Sequence, residues 1–144
     1  LGSISFAPFA SPKYLKTAGT PESPKDLKQH HFVRFTPLLE HEWRLRKEGD
    51  GRASTTIAPD GPIIVNDLNT MKTLAASGNG IAMLPGFFCY PEIKSGKLVR
   101  LLPGWHAEQN PVHFVYPGQK HVSSKLSAFI AFATEPIRRS LGGN

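Results

Sequence analysis

The sequence has one cysteine, Cys89, and no long apolar run, and each shortage excludes a class of protein. One cysteine cannot form a disulfide within the chain, so a disulfide-stapled fold is excluded. No second thiol or paired histidine stands at zinc-finger spacing, so we expect neither a metal site nor a cofactor. The apolar runs are far shorter than the roughly 20 residues of a membrane-spanning helix. These shortages favour a soluble, cytoplasmic module without membrane contact.

The residue patterns that indicate an enzyme are also missing. The six histidines are His30, His31, His41, His106, His113 and His121, and none has an acidic or thiol partner at motif spacing. There is no G-x-S-x-G sequence, and Gly78-Asn79-Gly80 follows a predicted helix, whereas a phosphate-binding loop precedes one. Cys89 could be a redox thiol, but its neighbours Phe87, Phe88 and Tyr90 favour packed core. We therefore predict no catalytic residue.

The charge is basic but scattered. Seventeen Lys and Arg against eleven Asp and Glu give a formal net charge of +6. A clustered excess would indicate contact with nucleic acid or an anionic membrane, but here acidic residues interrupt the basic ones along the chain. A solvated surface is the expected role of these charges. The apolar start at Leu1, with no basic segment before it, suggests a piece cut from a longer chain.

Short strands and capped helices alternate along the first half of the sequence. Ser11-Pro12 predicts the cap and first turn of a helix that Gly19 ends, and Ser23-Pro24 predicts a second short helix. Asp50-Gly51 predicts the turn of a hairpin. The predicted strands span residues 3–10, 31–35, 42–47, 53–58 and 63–65.

The second half has the clearest helix of the chain. Asn66-Asp67 predicts its cap, Met71, Leu74 and Ala75 fall at helical spacing, and Gly78 or Gly80 predicts its end. Further strands are predicted at residues 81–85, 98–102 and 112–116, and helices at residues 87–94 and from residue 123 onward. Pro136 should end or kink the last helix, with Arg138 to Gly143 as a frayed tail. Strand, helix and strand in succession favour an α/β sheet.

Polar residues follow three of the predicted strands. Thr36 follows the strand at 31–35, Asn66-Asp67 follows the strand at 63–65, and Pro85-Gly86 ends the strand at 81–85. Ligands of α/β proteins lie outside the carboxyl ends of the strands. The pattern therefore indicates a ligand-binding cleft, although ordinary caps and turns would also place such residues there.

The order of segments resembles that of the LysR-type transcriptional regulators. The resemblance begins with ASPKYL at residues 10–15, GTP at 19–21, PKDL at 24–27 and FVRF at 32–35. It continues with Trp43, VND at 65–67, AASGNGIAMLP at 75–85, GKLVRLL at 96–102, PVHFVYP at 111–117 and SSKLSAFIAF at 123–132. These pieces cover almost the whole chain in the correct order, so together they are far more specific than any one alone.

The resemblance implies an α/β fold of the type-2 periplasmic-binding-protein kind, in which two subdomains enclose an effector cleft. The chain would hold mainly the second subdomain together with hinge strands and the closing helix. Residues 1–10 would end the first subdomain and form a hinge strand, residues 11–112 would be the second subdomain, and residues 113–144 would return to the first. The winged helix-turn-helix that binds DNA would lie outside the chain.

The resemblance also implies a site, a ligand and partners. The implied ligand contacts are Ser11, Phe35, Thr36, Asn66, Met83, Pro85 and Tyr116, and of these Phe35 and Thr36 are the principal pair. The ligand would be a small-molecule effector, with a carboxylate as the class of compound suggested by the family. Residues 68–77 resemble a helix that packs against a partner subunit of a dimer or tetramer, although their apolar face would equally suit the core.

Two alternatives to a regulator stay open at this point. A solute-binding protein of a transporter would have the same fold, and the sequence upstream would distinguish it by a signal peptide in place of a winged helix-turn-helix. An enzyme would need a reactive group in the cleft. The segment 36–42, TPLLEHE, and the tail from Glu135 to Asn144 match no part of the family pattern.

Overall fold

The computed structural model describes residues 1–38, 42–107, 109–117 and 123–142. The strands within these residues are β1 Gly2–Ile4, β2 Phe6–Ala10, β3 Val33–Phe35, β4 Trp43–Lys47, β5 Asp50–Ile57, β6 Ile63–Val65, β7 Ala82–Pro85, β8 Val99–Arg100, β9 Trp105–Ala107 and β10 Asn110–Val112. The α-helices are α1 Pro12–Ala18, α2 Leu68–Ala76, α3 Tyr90–Lys94 and α4 Ser124–Gly142. The 3-10 helices are Pro24–Gln29, Thr36–Leu38 and Gly86–Cys89.

The described residues from Phe6 to Ala107 are called the body, and a mixed sheet forms its centre. Strand β3 pairs in parallel with β6, while β2 lies between β7 and β8 and is antiparallel to both. A parallel bridge between Phe32 and Ile81 joins the two groups, and the N–H of Val33 donates to the carbonyl of Ile81 at 2.9 Å. The resulting order is β6-β3-β7-β2-β8. This α/β arrangement confirms the predicted fold class.

Side chains alternate between the two faces of this sheet and build two cores. One face packs with Leu27 and with the sheet of β4, β5 and β9, where Trp43 and Leu45 are buried. The other face packs against α2, whose Met71 and Ala75 are buried there. The apolar face of α2 is therefore core.

Local capping explains where the helices begin. The Oγ of Ser11 accepts from the N–H of Tyr14 at 3.1 Å, and Pro12 occupies the first turn of α1 as predicted. The carboxylate of Asp67 accepts from the N–H of Thr70 at 2.8 Å and starts α2. These caps confirm the two helix starts that the sequence predicted most clearly.

Two glycines permit the close approach of segments on either side of residues 31–32. A Cβ on Gly61 would clash with the carbonyl oxygen of Phe32, and a Cβ on Gly80 would lie 2.6 Å from the carbonyl oxygen of His31. Gly80 also has a φ of +133°, a conformation that glycine adopts without strain. Both positions therefore require glycine.

Outside the body, β1 and β10 form an antiparallel pair next to α4. Gly2 pairs with Val112 and Ile4 pairs with Asn110. Near the end of α4, the side chain of Leu141 lies against Gly2. The described residues include no helix both long and apolar enough to cross a membrane.

The strand predicted at residues 3–10 is divided into β1 and β2, which belong to different sheets, and four further details of the sequence-based prediction were wrong. The β4–β5 turn is Glu48-Gly49, with φ of +76° at Gly49, and the predicted Asp50-Gly51 begins β5. Strand β9 was not predicted. The strand predicted at residues 112–116 keeps only Val112, because its partner β1 starts opposite that residue.

The fourth detail is Pro136, which lies inside α4 and does not end it. Proline removes one backbone hydrogen bond, but turns on both sides of it remain helical, and the tail predicted to be frayed is helix as far as Gly142. Some residues discussed from the sequence lie outside the described residues, namely residues 39–41 of the segment TPLLEHE, His121, Gly143 and Asn144.

Candidate functional site

Three strands of the body end at one edge of the sheet. Because β3 and β6 are parallel with Phe35 opposite Val65, the residues that follow them, Thr36 and Asn66, lie next to each other. Strand β7 is also parallel to β3 and ends at Pro85, where it pairs with Phe6. The sheet thus brings predicted contacts from three separate segments to one edge.

Thr36 has a defined hydrogen bond at this edge. Its Oγ1 donates to the carbonyl oxygen of Val65 at 3.0 Å, and the residue is exposed. A hydroxyl has one donor and two acceptor lone pairs. With its proton directed to Val65, the Thr36 oxygen presents acceptor lone pairs to an incoming group.

A small cavity lies behind this edge. Its lining includes Phe6, Phe35, Trp43 and Met83, with the rings of Phe6 and Trp43 4.8 Å apart. The cavity volume is about 20 Å³, which holds one or two water molecules. Drug-sized ligands occupy clefts of about 300–1,000 Å³. The cavity by itself is therefore too small to hold a drug-sized ligand.

The charges at the edge are already partnered. Hydrogen bonds from Thr70 lower the pKa of Asp67, so this carboxylate beside Asn66 is ionised at neutral pH. Arg34 also lines the cavity, and its Nη1 lies 3.7 Å from Oδ1 of Asp60. The edge therefore has both a cationic group, the guanidinium of Arg34, and an anionic group, the carboxylate of Asp67.

Two of the predicted contacts lie elsewhere. Ser11 follows the far end of β2, which is about 16 Å from Phe6 at 3.3 Å per residue. It is buried, and its oxygen caps α1. Tyr116 is exposed and does not line this cavity. It is also absent from the lining of a second, larger cleft between β1 and α4, which is described below. Of the remaining five, Met83 and Pro85 are buried, Phe35 is half-buried, and Thr36 and Asn66 are exposed.

Sequence analysis missed Phe6 and Trp43 as part of the cavity lining. Phe6 was placed in an apolar strand and Trp43 in an alternating, half-buried one, and neither pattern tells which residue of a strand lies nearest a cleft. The ring contact between Phe6 and Trp43 joins β2 to β4 across 37 positions of sequence. Only tertiary packing could reveal such a contact.

No described side chain near the edge is set up as a nucleophile. Cys89 is fully buried, and burial raises the pKa of its thiol to about 12. Such a thiol is neutral at physiological pH and hence unreactive. The described residues contain no group of three or more side chains that could hold a metal ion.

A mixed sheet covered on both faces, with the antiparallel pair β1–β10 beside it, fits the type-2 periplasmic-binding-protein fold. The sequence matches the family described as LysR substrate binding domain over residues 1–137. The chain belongs to this family.

Similar proteins are transcriptional regulators. The chain is 30% identical over 141 residues to an uncharacterized HTH-type transcriptional regulator, YhjC, of Escherichia coli, covering 98% of the chain and 47% of the relative. It is 32% identical over 136 residues to the HTH-type transcriptional regulator PtxR of Pseudomonas aeruginosa, covering 92% of the chain and 41% of the relative. The chain thus spans less than half the length of these relatives.

Solved structures agree with this assignment. The regulatory domain of AphB from Vibrio vulnificus matches with a TM-score of 0.76 at 28% identity, covering 92% of the chain and 65% of that domain. The regulatory domain of CrgA from Neisseria meningitidis, a LysR-type transcriptional regulator, matches with a TM-score of 0.67 at 26% identity, covering 99% of the chain and 66% of that domain. About a third of each regulatory domain has no counterpart here.

Proposed function

We propose that the chain is the effector-sensing part of a LysR-type transcriptional regulator, binding a small molecule between its body and a first subdomain that precedes it. The observation that carries this proposal is the edge where β3, β6 and β7 end together, which forms one wall of a site. The family match and the regulators among its relatives favour this function over a transporter's binding protein or an enzyme.

The boundary between the subdomains is proposed to fall at β1 and β10. Strand β2 lies inside the body sheet, between β7 and β8, and β9 pairs with β4 of the body. The pair that leaves the body is β1–β10. On this basis the second subdomain starts at Phe6 and ends at Ala107, and the hinge is shorter than the resemblance implied.

Helix α4 is proposed to complete the first subdomain. Its Phe129 is 57% exposed and its Phe132 79% exposed, and Val115 before the helix is 93% exposed. Such a group of exposed apolar side chains is unusual for a surface that stays in water. The preceding segment of the regulator, which corresponds to the third of the regulatory domain absent here, would cover it.

The partners and the compartment follow from the proposed role. A regulator of this family would act as a homo-oligomer, contact DNA through an N-terminal domain outside this chain, and work in the cytoplasm where the DNA is. The scattered charge of +6 is consistent with a sensing role that needs no DNA contact of its own.

Around Thr36 and Asp67, the wall formed by the second subdomain favours hydrogen-bond donors. Thr36 presents acceptor lone pairs, and the ionised Asp67 repels a second carboxylate. An effector that carries a carboxylate would therefore direct it away from Asp67. The group facing Thr36 would be a hydroxyl, an amine or an amide N–H.

The test uses the regulatory domain extended at its N-terminus to include the first subdomain. A panel of hydroxy acids, amino acids and their amides is screened by thermal stabilisation, and the strongest stabiliser is titrated by calorimetry. Thr36→Ala should weaken its binding about tenfold, the loss of one well-placed hydrogen bond. Thr73→Ala, at an exposed threonine of α2, is the matched control and should leave affinity unchanged. Equal affinity in wild type and Thr36→Ala would contradict the assignment.

A further inference from the structure

A second, larger cleft lies beside the hinge, where β1, α4 and the segment around α3 meet. Its volume is about 790 Å³, against about 20 Å³ for the cavity behind Thr36. No described residue lines both spaces. The larger cleft has the dimensions of a small-molecule site, which are about 300–1,000 Å³.

One wall of this cleft is apolar and exposed. It consists of Phe87, Tyr90 and Ile93, which are 37%, 58% and 39% exposed. Phe87 belongs to the 3-10 helix Gly86–Cys89, and the other two belong to α3. Three large apolar side chains left in water on one short segment mark a contact surface.

Basic residues also line the cleft, and this part of the lining is called its basic wall. Arg100 at the end of β8, His106 in β9 and Arg138 in α4 line it, and Glu48 is the one acidic residue among the described lining. The cleft therefore carries a net positive charge. An anionic group is the natural complement.

Both guanidinium groups keep donors available. Nη2 of Arg100 donates to the carbonyl oxygen of Trp105 at 3.2 Å, and Nε of Arg138 donates to the carbonyl oxygen of Leu1 at 3.2 Å. Arg138 also lies 3.7 Å from Glu135, in a pair whose side chains are 57% and 64% exposed. A guanidinium has five N–H donors, so these contacts leave most of them for a ligand.

We propose that this cleft is a second ligand site, which binds an organic carboxylate with an apolar body. The apolar body packs on Phe87, Tyr90 and Ile93, and the carboxylate pairs with Arg100 and Arg138 on the basic wall. Because Arg100 belongs to the body and Arg138 to α4, the bound molecule contacts both sides of the β1–β10 hinge. It would fix the angle between them, independently of the effector at Thr36.

The probe for this site is 2-naphthoate, with the neutral 2-naphthamide as its matched control. Calorimetric titration of the 144-residue chain should give saturable binding of 2-naphthoate and at least tenfold weaker binding of 2-naphthamide. Arg100→Gln and Arg138→Gln should each weaken 2-naphthoate about tenfold, the loss of one charge-assisted contact, and leave 2-naphthamide unchanged. Circular dichroism of each variant checks that it is folded.

Two further variants make the result specific. Lys125→Gln removes the same charge from α4 outside the lining and should change nothing, and Tyr90→Ala should weaken both compounds. Thr36→Ala should leave 2-naphthoate binding unchanged, which separates this site from the proposed effector site. Absence of saturable binding, equal binding of the two compounds, or an equal loss in Lys125→Gln would overturn the proposal.

Discussion

Large apolar side chains are buried in the body but exposed to solvent in helix α4. In the body, Ile81, Leu84 and Leu98 are 0% exposed. In α4, no described side chain is buried, and Phe132 is 79% exposed, although the helix has an equally apolar face. Periodicity thus tells which face of a helix seeks burial, but the partner that buries it can lie outside the segment under study.

The difference also separates two sources of stability. The body sheet contacts packed elements on both faces, so its stability comes from burial within the chain. Helix α4 is held mainly by backbone hydrogen bonds and by a few contacts near its end, such as the contact of Leu141 with Gly2. Its folding should therefore be the more sensitive to conditions and to the presence of a partner.

Thiol labelling should show the largest difference between the two regions. A Phe132→Cys variant has one buried thiol, Cys89, and one exposed thiol in α4, so their labelling can be compared within the same protein. Because burial raises the pKa of Cys89 to about 12, its thiol is neutral at pH 8. Iodoacetamide should therefore modify the introduced thiol of α4 at the rate of a free cysteine and Cys89 only after unfolding, as measured by peptide mass spectrometry.

Rapid labelling of Cys89 in the folded chain would mean that the segment around α3 opens readily, and the comparison would fail. An added organic hydroperoxide should likewise leave Cys89 unmodified. The thiol is 0% exposed and neutral.

Truncation of core and helix residues should differ in free energy of unfolding. Leu84→Ala in β7 should cost about 2–5 kcal/mol, since it leaves a cavity in a closely packed interior. Phe132→Ala in α4 should change stability by about 0.5 kcal/mol or less, because the ring is largely in water. Urea denaturation of both variants measures the two values. Similar costs would show that α4 is packed in solution.

Two ion pairs extend the comparison to charged groups. Lys72 and Glu92 join α2 to α3, with Nζ 3.1 Å from Oε1 and side chains only 14% and 22% exposed. Lys72 Nζ also lies 4.2 Å from the centroid of the Phe88 ring. A double-mutant cycle with Lys72→Met and Glu92→Gln should give a coupling of about 1–3 kcal/mol.

The same cycle on Arg138 and Glu135, which are exposed, should give about 0.5 kcal/mol or less. Added salt should remove the weaker coupling and leave most of the stronger one, since burial limits screening. Equal couplings would mean that the α2–α3 junction is as hydrated as the surface of α4.

The smallest expected effect is a pH dependence within the body. Burial lowers the pKa of His30, with a smaller opposing effect of Asp26 and a further lowering by His31. Its Nδ1 lies 3.1 Å from Oη of Tyr14. The unfolded chain therefore takes up a proton near pH 6.5 and the folded chain only at lower pH, so stability is complete above pH 6.5 and falls as the pH drops below it.

Urea midpoints at about pH 7.5 and pH 5.5, on either side of the ordinary histidine pKa, compared between wild type and His30→Gln, measure this contribution. The variant should lose less stability on acidification than wild type does. An identical loss in both would assign the pH dependence to other groups. This comparison does not test α4, whose described side chains include no histidine.

Features set by neighbouring residues could be predicted from the sequence. The caps at Ser11 and Asp67 could be predicted because each is a hydrogen bond to a residue three positions along the chain. The hairpin turn was misplaced because Gly49 and Gly51 both suit a turn, and the choice follows from pairing Lys47 with Asp50 while Leu45 stays buried. That choice is made across the hairpin and not within the turn.

The candidate site likewise includes residues that local sequence predicted and residues that only the tertiary structure brings together. Thr36 and Asn66 were predicted because each follows a recognisable strand, and the parallel pairing of β3 with β6 brings them together. Ser11 was predicted as a ligand contact from the resemblance alone, and it lies beyond the far end of β2, since an antiparallel strand carries its two ends to opposite edges. The basic wall of the larger cleft combines Arg100, His106 and Arg138 from three elements, which no local pattern could join.

The glycines beside residues 31–32 have a consequence for how such a sensor can change its specificity. Gly61 and Gly80 fix the register of β6 and β7 relative to β3. A shift of that register by one residue would turn every side chain of a strand to the other face. The proposed ligand contacts, Thr36 and Asn66, lie beyond these glycines, at the strand ends. If that assignment holds, residues at the strand ends can change and alter recognition while Gly61 and Gly80 keep the strands aligned.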